Sequence, residues 1–166
     1  MLLVVRSFLP CFGFGIAVQT LVGNNIGSGK FAAAKIYGFE TAKVATYYTL
    51  LLGIIFFLIP QYVLLIITND QSIIEVAKPI LRIAGFAQIF YASGVVLANG
   101  LQAAGKTFFV MMAEVITNLL IFVPLAYFFG VYLKLGITWA WAALPIYIIA
   151  YTFIILYKFR LDEWRH

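Results

Sequence analysis

Along the chain, polar residues gather in short clusters separated by long apolar runs. A helix that crosses about 30 Å of hydrocarbon needs roughly 20 mainly apolar residues. Five segments meet or approach that length: 8–26, 44–68, 83–104, 108–129 and 137–157. The first contains Pro10. The second, Val44–Thr68, carries no charge and includes Pro60, and the third is rich in glycine and alanine. The fourth holds Glu114 and Pro124, and the fifth holds Pro145. None of these runs alternates in polarity as barrel strands do. The pattern predicts an all-α, polytopic helical membrane protein with about five transmembrane helices.

Composition strengthens that reading. Of 166 residues, 64% are hydrophobic and 10% are charged, and the mean hydropathy is +1.04. A soluble domain carries roughly a quarter charged residues, so the lipid bilayer is the expected solvent. Cys11 is the single cysteine and His166 the single histidine, which leaves no intrachain disulfide and almost no ligands for a zinc or haem site. No metal or other cofactor is expected. The net charge of +5 is scattered without a basic run, so no nucleic-acid stripe forms.

In a membrane chain, basic loops report orientation. The loop after the first span holds Lys30, Lys35 and Lys43, the loop after the third holds Lys106, and the tail holds Lys158, Arg160 and Arg165. The opposite side has Arg6, Lys78, Arg82 and Lys134, partly offset by Asp70 and Glu75. The first set should face the cytoplasm, which puts a multi-pass protein in the plasma membrane with its C-terminus inside. Trp139 and Trp164 suit interfacial belts. Five spans leave Met1 outside with no convincing signal peptide, so a preceding span is expected to be missing.

Gly15–Phe31 (GIAVQTLVGNNIGSGKF) and Gly94–Phe108 (GVVLANGLQAAGKTF) share one design, a small-residue helix ending at a Gly-Lys turn. Gly23, Gly27, Gly29, Gly100 and Gly105 are the expected turn glycines. The second copy contains GLQAAGKT, which satisfies the nucleotide-binding pattern G-x-x-x-x-G-K-[ST]. That cradle works between a buried parallel strand and a helix. Here it follows an apolar stretch of helical length, so no nucleotide partner is expected.

The same segments carry a family resemblance. Val22-Gly-Asn-Asn-Ile-Gly-Ser-Gly-Lys30, followed by Ala32-Ala-Ala34, resembles the V-G-[QN]-x-[IL]-G-[AS]-G…A loop of multidrug and toxic compound extrusion (MATE) transporters. Leu81-Arg82-Ile83 and Leu97-Ala-Asn-Gly-Leu-Gln-Ala-Ala-Gly-Lys-Thr107 are similar to that family's L-R…G-x-L-[RQ]-[GA]-x-G-[DK]-T segment. Val123-Pro-Leu-Ala-Tyr127 and Leu135-Gly-Ile-Thr-Trp-Ala-Trp141 resemble two further elements. The resemblance implies two six-helix lobes in a full transporter, with residues 1–166 matching part of the C-terminal lobe and the N-terminal lobe missing as a partner. It also implies alternating-access export of cationic or amphipathic small molecules in exchange for H+ or Na+. A polysaccharide or lipid-linked precursor flippase of the same superfamily, or a non-transporting remnant, are the alternatives.

Glu114 is the one ionisable side chain read as lying well inside a span. A lone carboxyl there must face protein or water, or be protonated. Asn118, one turn on, shares its face. The pair is either a proton or cation site or a neutral helix–helix contact. On the third span Gln88, Tyr91, Asn99 and Gln102 form a polar stripe that should face a cavity or another helix. Gln88 and Tyr91 are the pathway candidates there, whereas Asn99 and Gln102 suit the turn. By alignment, Tyr91 occupies the place where some sodium-coupled members of the family carry an acid. Gln19, Thr20, Tyr47 and Tyr48 are weaker candidates. Pro60, Pro124 and Pro145 could permit helix bending.

Overall fold

The computed structural model describes residues 2–65, 68–134 and 137–161, with side chains from Phe12 onward. Trp164, Arg165, His166 and the side chains of Arg6, Pro10 and Cys11 lie outside the described residues. Helices α1 (Leu2–Gly27) and α2 (Phe31–Leu58) form one hairpin. A short α3 (Pro60–Leu65) leads to α4 (Gln71–Ala103). After a second tight turn, α5 (Thr107–Thr117), a π turn (Asn118–Phe122), α6 (Val123–Tyr127) and a second π turn (Phe128–Tyr132) follow as one rod. Helices α7 (Ile137–Trp141) and α8 (Ala143–Leu161) complete the chain. Four of these rods are long and apolar enough to cross a bilayer: Phe31–Leu58, Gln71–Ala103, Thr107–Tyr132 and Ile137–Leu161. The protein is therefore a multi-pass helical membrane protein.

The ends of the elements follow from local chemistry. Asp70 caps α4: its Oδ1 accepts from the Ser72 amide at 3.0 Å and from the Ser72 hydroxyl at 2.6 Å. That satisfies a donor the first helical turn leaves orphaned. Pro60 breaks the second apolar segment. The residue before a proline is driven out of the α region, and Ile59 sits at φ −126°, ψ 46°, with α3 restarting at the proline itself.

One expectation is corrected here. Lys35 and Lys43 do not lie in a loop, because α2 begins at Phe31, directly after Lys30. An ionised pair, Lys43–Glu40, thus lies on a helix of spanning length, joined at 2.6 Å. Glu114 is not alone as an ionisable group on the spanning helices. The apolar-run criterion starts the span at Val44 because charges interrupt the run, but i,i+3 pairing lets a helix carry them.

Helix α4 is the centre, packed against α1, α2, α5, α7 and α8. Lipid tails are as apolar as leucine, so helix association in a bilayer relies on close packing. Small residues supply it. Phe159 of α8 is fully buried, and its ring fills the space beside Gly38 of α2 and Gly100 of α4, where a Cβ on either glycine would collide with it. A Cβ on Gly53 would lie 2.8 Å from the Gly85 carbonyl, so α2 and α4 touch backbone to backbone. Gly94 faces Thr152, whose hydroxyl donates to the Phe90 carbonyl at 3.1 Å. Large apolar side chains such as Leu51, Phe57, Phe153 and Tyr157 point outward, as a lipid-facing surface requires.

Candidate functional site

The two Gly-Lys turns have the same construction. At the end of α1 the Lys30 amide donates to the Asn25 carbonyl at 2.8 Å and the Gly29 amide to Ile26 at 2.9 Å. At the end of α4 the Lys106 amide donates to Leu101 at 2.9 Å and the Gly105 amide to Gln102 at 2.9 Å. Both are Schellman closures, which require a left-handed residue after the helix. Gly29 and Gly105 take φ +71° and +78°. Gly23, Gly27 and Gly100, grouped with the turns from sequence, instead lie within α1 and α4. A closure of this type needs only one left-handed position, and Gly100 is required for its contact with Phe159.

This geometry also accounts for GLQAAGKT. The segment is the last turn of α4, the closure and the first residue of α5. The amides of Ala104, Gly105 and Lys106 all donate to carbonyls of α4. A phosphate cradle needs such amides turned outward to its ligand; here they are turned into the helix end.

The polar cluster of the bundle forms where α5 meets α8. The Tyr147 hydroxyl donates to Glu114 Oε1 at 3.3 Å. Asn118 hydrogen-bonds the same hydroxyl, so the expected Glu114–Asn118 partnership runs through Tyr147. Tyr151, one turn along α8, interacts electrostatically with Glu114, and Tyr91 of α4 interacts with both tyrosines. Tyr147 and Tyr151 are buried and their rings lie 6.3 Å apart, nearly parallel. The Phe122 ring covers Tyr147 from the π turn, at 5.8 Å. Glu114 itself keeps an exposed face, so a carboxyl is held at the rim of an aromatic wall. The π turn begins at Asn118. Such turns shift the backbone register at the position where a helix must aim a particular side chain.

The structure thus brings Glu114, Asn118 and Tyr91 together. It adds Tyr147 and Tyr151, which sequence reasoning missed. Their spacing of four on an apolar helix next to Pro145 is the available signal, weak among ten tyrosines. Gln88 lies nearly one helical turn before Tyr91 and is 1% exposed, enclosed by the bundle with its polar group engaged. Gln19 is exposed on α1, none of whose described side chains joins the cluster. The Thr20 hydroxyl is spent on the Ile16 carbonyl, and the Asn99 amide on the Val95 carbonyl of its own helix. Among the described residues, no group of three or more His, Cys, Asp or Glu could hold a metal ion.

Helical rods joined by tight turns, packed through glycine and carrying one carboxyl–tyrosine cluster, define a polytopic membrane protein with a polar site on a spanning helix. The MatE family model matches residues 3–128, well over half of the chain. The chain belongs to the MatE family. It is 30% identical over 160 residues to "Probable multidrug resistance protein NorM" of Thermotoga maritima, covering 95% of this chain and 34% of that protein. It is 26% identical over 162 residues to "Multidrug and toxin extrusion protein 2" of Mus musculus, covering 95% of this chain and 28% of that one. It is also 26% identical over 143 residues to "Uncharacterized transporter YisQ" of Bacillus subtilis, covering 82% and 30%. The chain spans about a third of the length of these curated relatives. No solved structure matches it.

Proposed function

We propose that this chain is part of a secondary antiporter that exports cationic or amphipathic small molecules, with Glu114 as its ion-exchange group. Family membership and the printed names of two relatives support the transport class. The observation that carries the site is the half-open carboxyl of Glu114, held by Tyr147 on a membrane-spanning helix. A charged carboxylate at such a place is costly without a partner. A lipophilic cation would supply that partner, with the tyrosine and phenylalanine faces contributing cation–π attraction. A proton on Glu114 removes the charge and with it the attraction. Cation and proton therefore compete for one carboxyl, which is the elementary requirement of antiport. The Tyr147 hydroxyl can donate to the carboxylate and Asn118 holds that hydroxyl in place, so the site stays organised when empty. Tyr91 supplies no carboxylate, which favours H+ over Na+ as the coupling ion. A secondary transporter of this kind performs no enzymatic step.

The helix ends at Gly29, Gly105 and Leu161 share one end of the bundle with Lys30, Lys35, Lys106, Lys158 and Arg160. The positive-inside rule supports a cytoplasmic setting for this end and, with it, for the C-terminus. The test is ethidium accumulation in a drug-sensitive host expressing the protein. The wild type should lower accumulation, Glu114→Gln at equal abundance should abolish the effect, and Glu114→Asp should restore part of it. Undiminished efflux by Glu114→Gln would remove Glu114 from the mechanism.

A further inference from the structure

Tyr151 is a buried phenol that the exchange chemistry of Glu114 leaves without a task. A buried O–H needs an acceptor, and the Tyr151 side chain hydrogen-bonds Glu114. The hold that Tyr147 supplies is weak by itself. Its hydroxyl reaches Glu114 Oε1 at 3.3 Å, long for an O–H···O bond, whose usual length is about 2.7–2.8 Å. A glutamate turns about several side-chain torsions, and Glu114 keeps an exposed face. One long bond fixes such a carboxyl at a single point and leaves its direction open.

Tyr151 supplies the second point. It stands one turn along α8 from Tyr147, with the two rings 6.3 Å apart and inclined by 26°. That spacing matches the rise of four helical residues, about 6 Å, so both hydroxyls leave the same face of α8 in nearly the same direction. A carboxyl between them can turn one oxygen to each. The stretch of α8 that carries Tyr151 is firmly seated on α4. The hydroxyl of its neighbour Thr152 donates to the Phe90 carbonyl at 3.1 Å, against Gly94. Ile148 and Ile155, on either side, are buried. The same bond brings Tyr151 beside Tyr91, the residue after Phe90, which interacts with it electrostatically. Glu114, by contrast, rides on a rod whose α-helix gives way four residues later to the π turn at Asn118.

We propose that Tyr151 is a positioning residue for ion exchange, whose hydroxyl anchors the inner oxygen of Glu114 and so aims the carboxyl at its open rim. The inference rests on Glu114 being the exchange group. A carboxylate has about four acceptor sites. The two phenols take two of them, one on each oxygen, and the remaining two face the rim where a cation arrives. Because one helix face presents both donors, the carboxyl is already ordered before the cation binds, which removes that ordering cost from binding.

Tyr151→Phe tests this, since it keeps the ring and removes only the hydroxyl. With the full chain in detergent micelles, ethidium affinity by fluorescence titration should fall about tenfold. In infrared difference spectra, the carboxylate stretching band assigned to Glu114 by its loss in Glu114→Gln should shift in Tyr151→Phe. In the Glu114→Gln background, Tyr151→Phe should weaken binding no further, because its effect passes through the carboxyl. A role in packing alone would weaken binding in both backgrounds and leave the band in place. Unchanged or tighter ethidium binding in Tyr151→Phe, an unshifted band, or equal losses in the two backgrounds would each overturn the proposal while leaving Glu114 as the exchange group. Wild-type affinity in Glu114→Gln would overturn the exchange role of Glu114 and, with it, this role for Tyr151, even where the band shift shows the contact.

Discussion

The two sides of α4 solve opposite problems. Towards α2 and α8, the helix presents Gly85, Gly94 and Gly100, and a neighbouring backbone, the Thr152 side chain and the Phe159 ring fill the space that side chains would take. Towards α5 and the middle of α8 it presents Tyr91 to a cluster of a carboxyl, an amide and two phenols. At those glycines the first side leaves no room for an added side chain. The second has chemistry and an open rim at Glu114. The difference teaches where substitutions will report on folding and where they will report on transport.

The largest effect on stability should come from Phe159→Ala, which empties the space between Gly38 and Gly100. A loss of about 3 kcal/mol is expected, at the low end for a buried phenylalanine because lipid replaces only the transfer part of the loss. Thermal or denaturant unfolding in detergent measures it. Glu114→Gln is the counterpart: unchanged stability beside lost efflux would separate the two sides, and equal damage to both would erase the distinction. A smaller effect is expected at the turns. Gly105→Ala places a Cβ in a left-handed conformation and should cost about 1–2 kcal/mol, with Gly29→Ala matching it if the two closures are equivalent. Smallest of all is the Asp70 cap, which belongs to neither side. The hydroxyl and amide of Ser72 hold its carboxyl below the usual carboxylate range. Its folded-state pKa is depressed, so its contribution is present above about pH 4 and is lost as pH falls through the lower folded value. Asp70→Asn should flatten that acid limb of an unfolding titration and change little at pH 7.

Four of the five apolar runs were legible as helices of spanning length, because a bilayer demands uninterrupted length and that demand is written directly in residue type. Helix limits were less so. Lys35 and Lys43 read as a loop because charge interrupts hydropathy, although the i,i+3 pair of Lys43 with Glu40 sits comfortably on a helix. Glu114 and Asn118 stood out because each is rare in an apolar run. Tyr147 and Tyr151 did not, since a phenol is ordinary in a membrane chain and its meaning here depends on a contact thirty-three residues away. Gln88 shows the converse: polarity marked it, but which side of α4 it faces depends on packing that no single helix specifies.

The π turns at Asn118–Phe122 and Phe128–Tyr132 alter the phase of the rod that carries Glu114. Each admits one residue more than an α turn, which advances everything downstream by about 100° relative to an unbroken α-helix. After both, the rod is close to half a revolution out of phase with a helical wheel drawn from Thr107. Residues from Val123 to Tyr127 are thus about 100° away from where such a wheel would put them relative to Glu114, and the larger offset is reached only at Tyr132, so the span carries one azimuthal setting for the carboxyl and another for its far end.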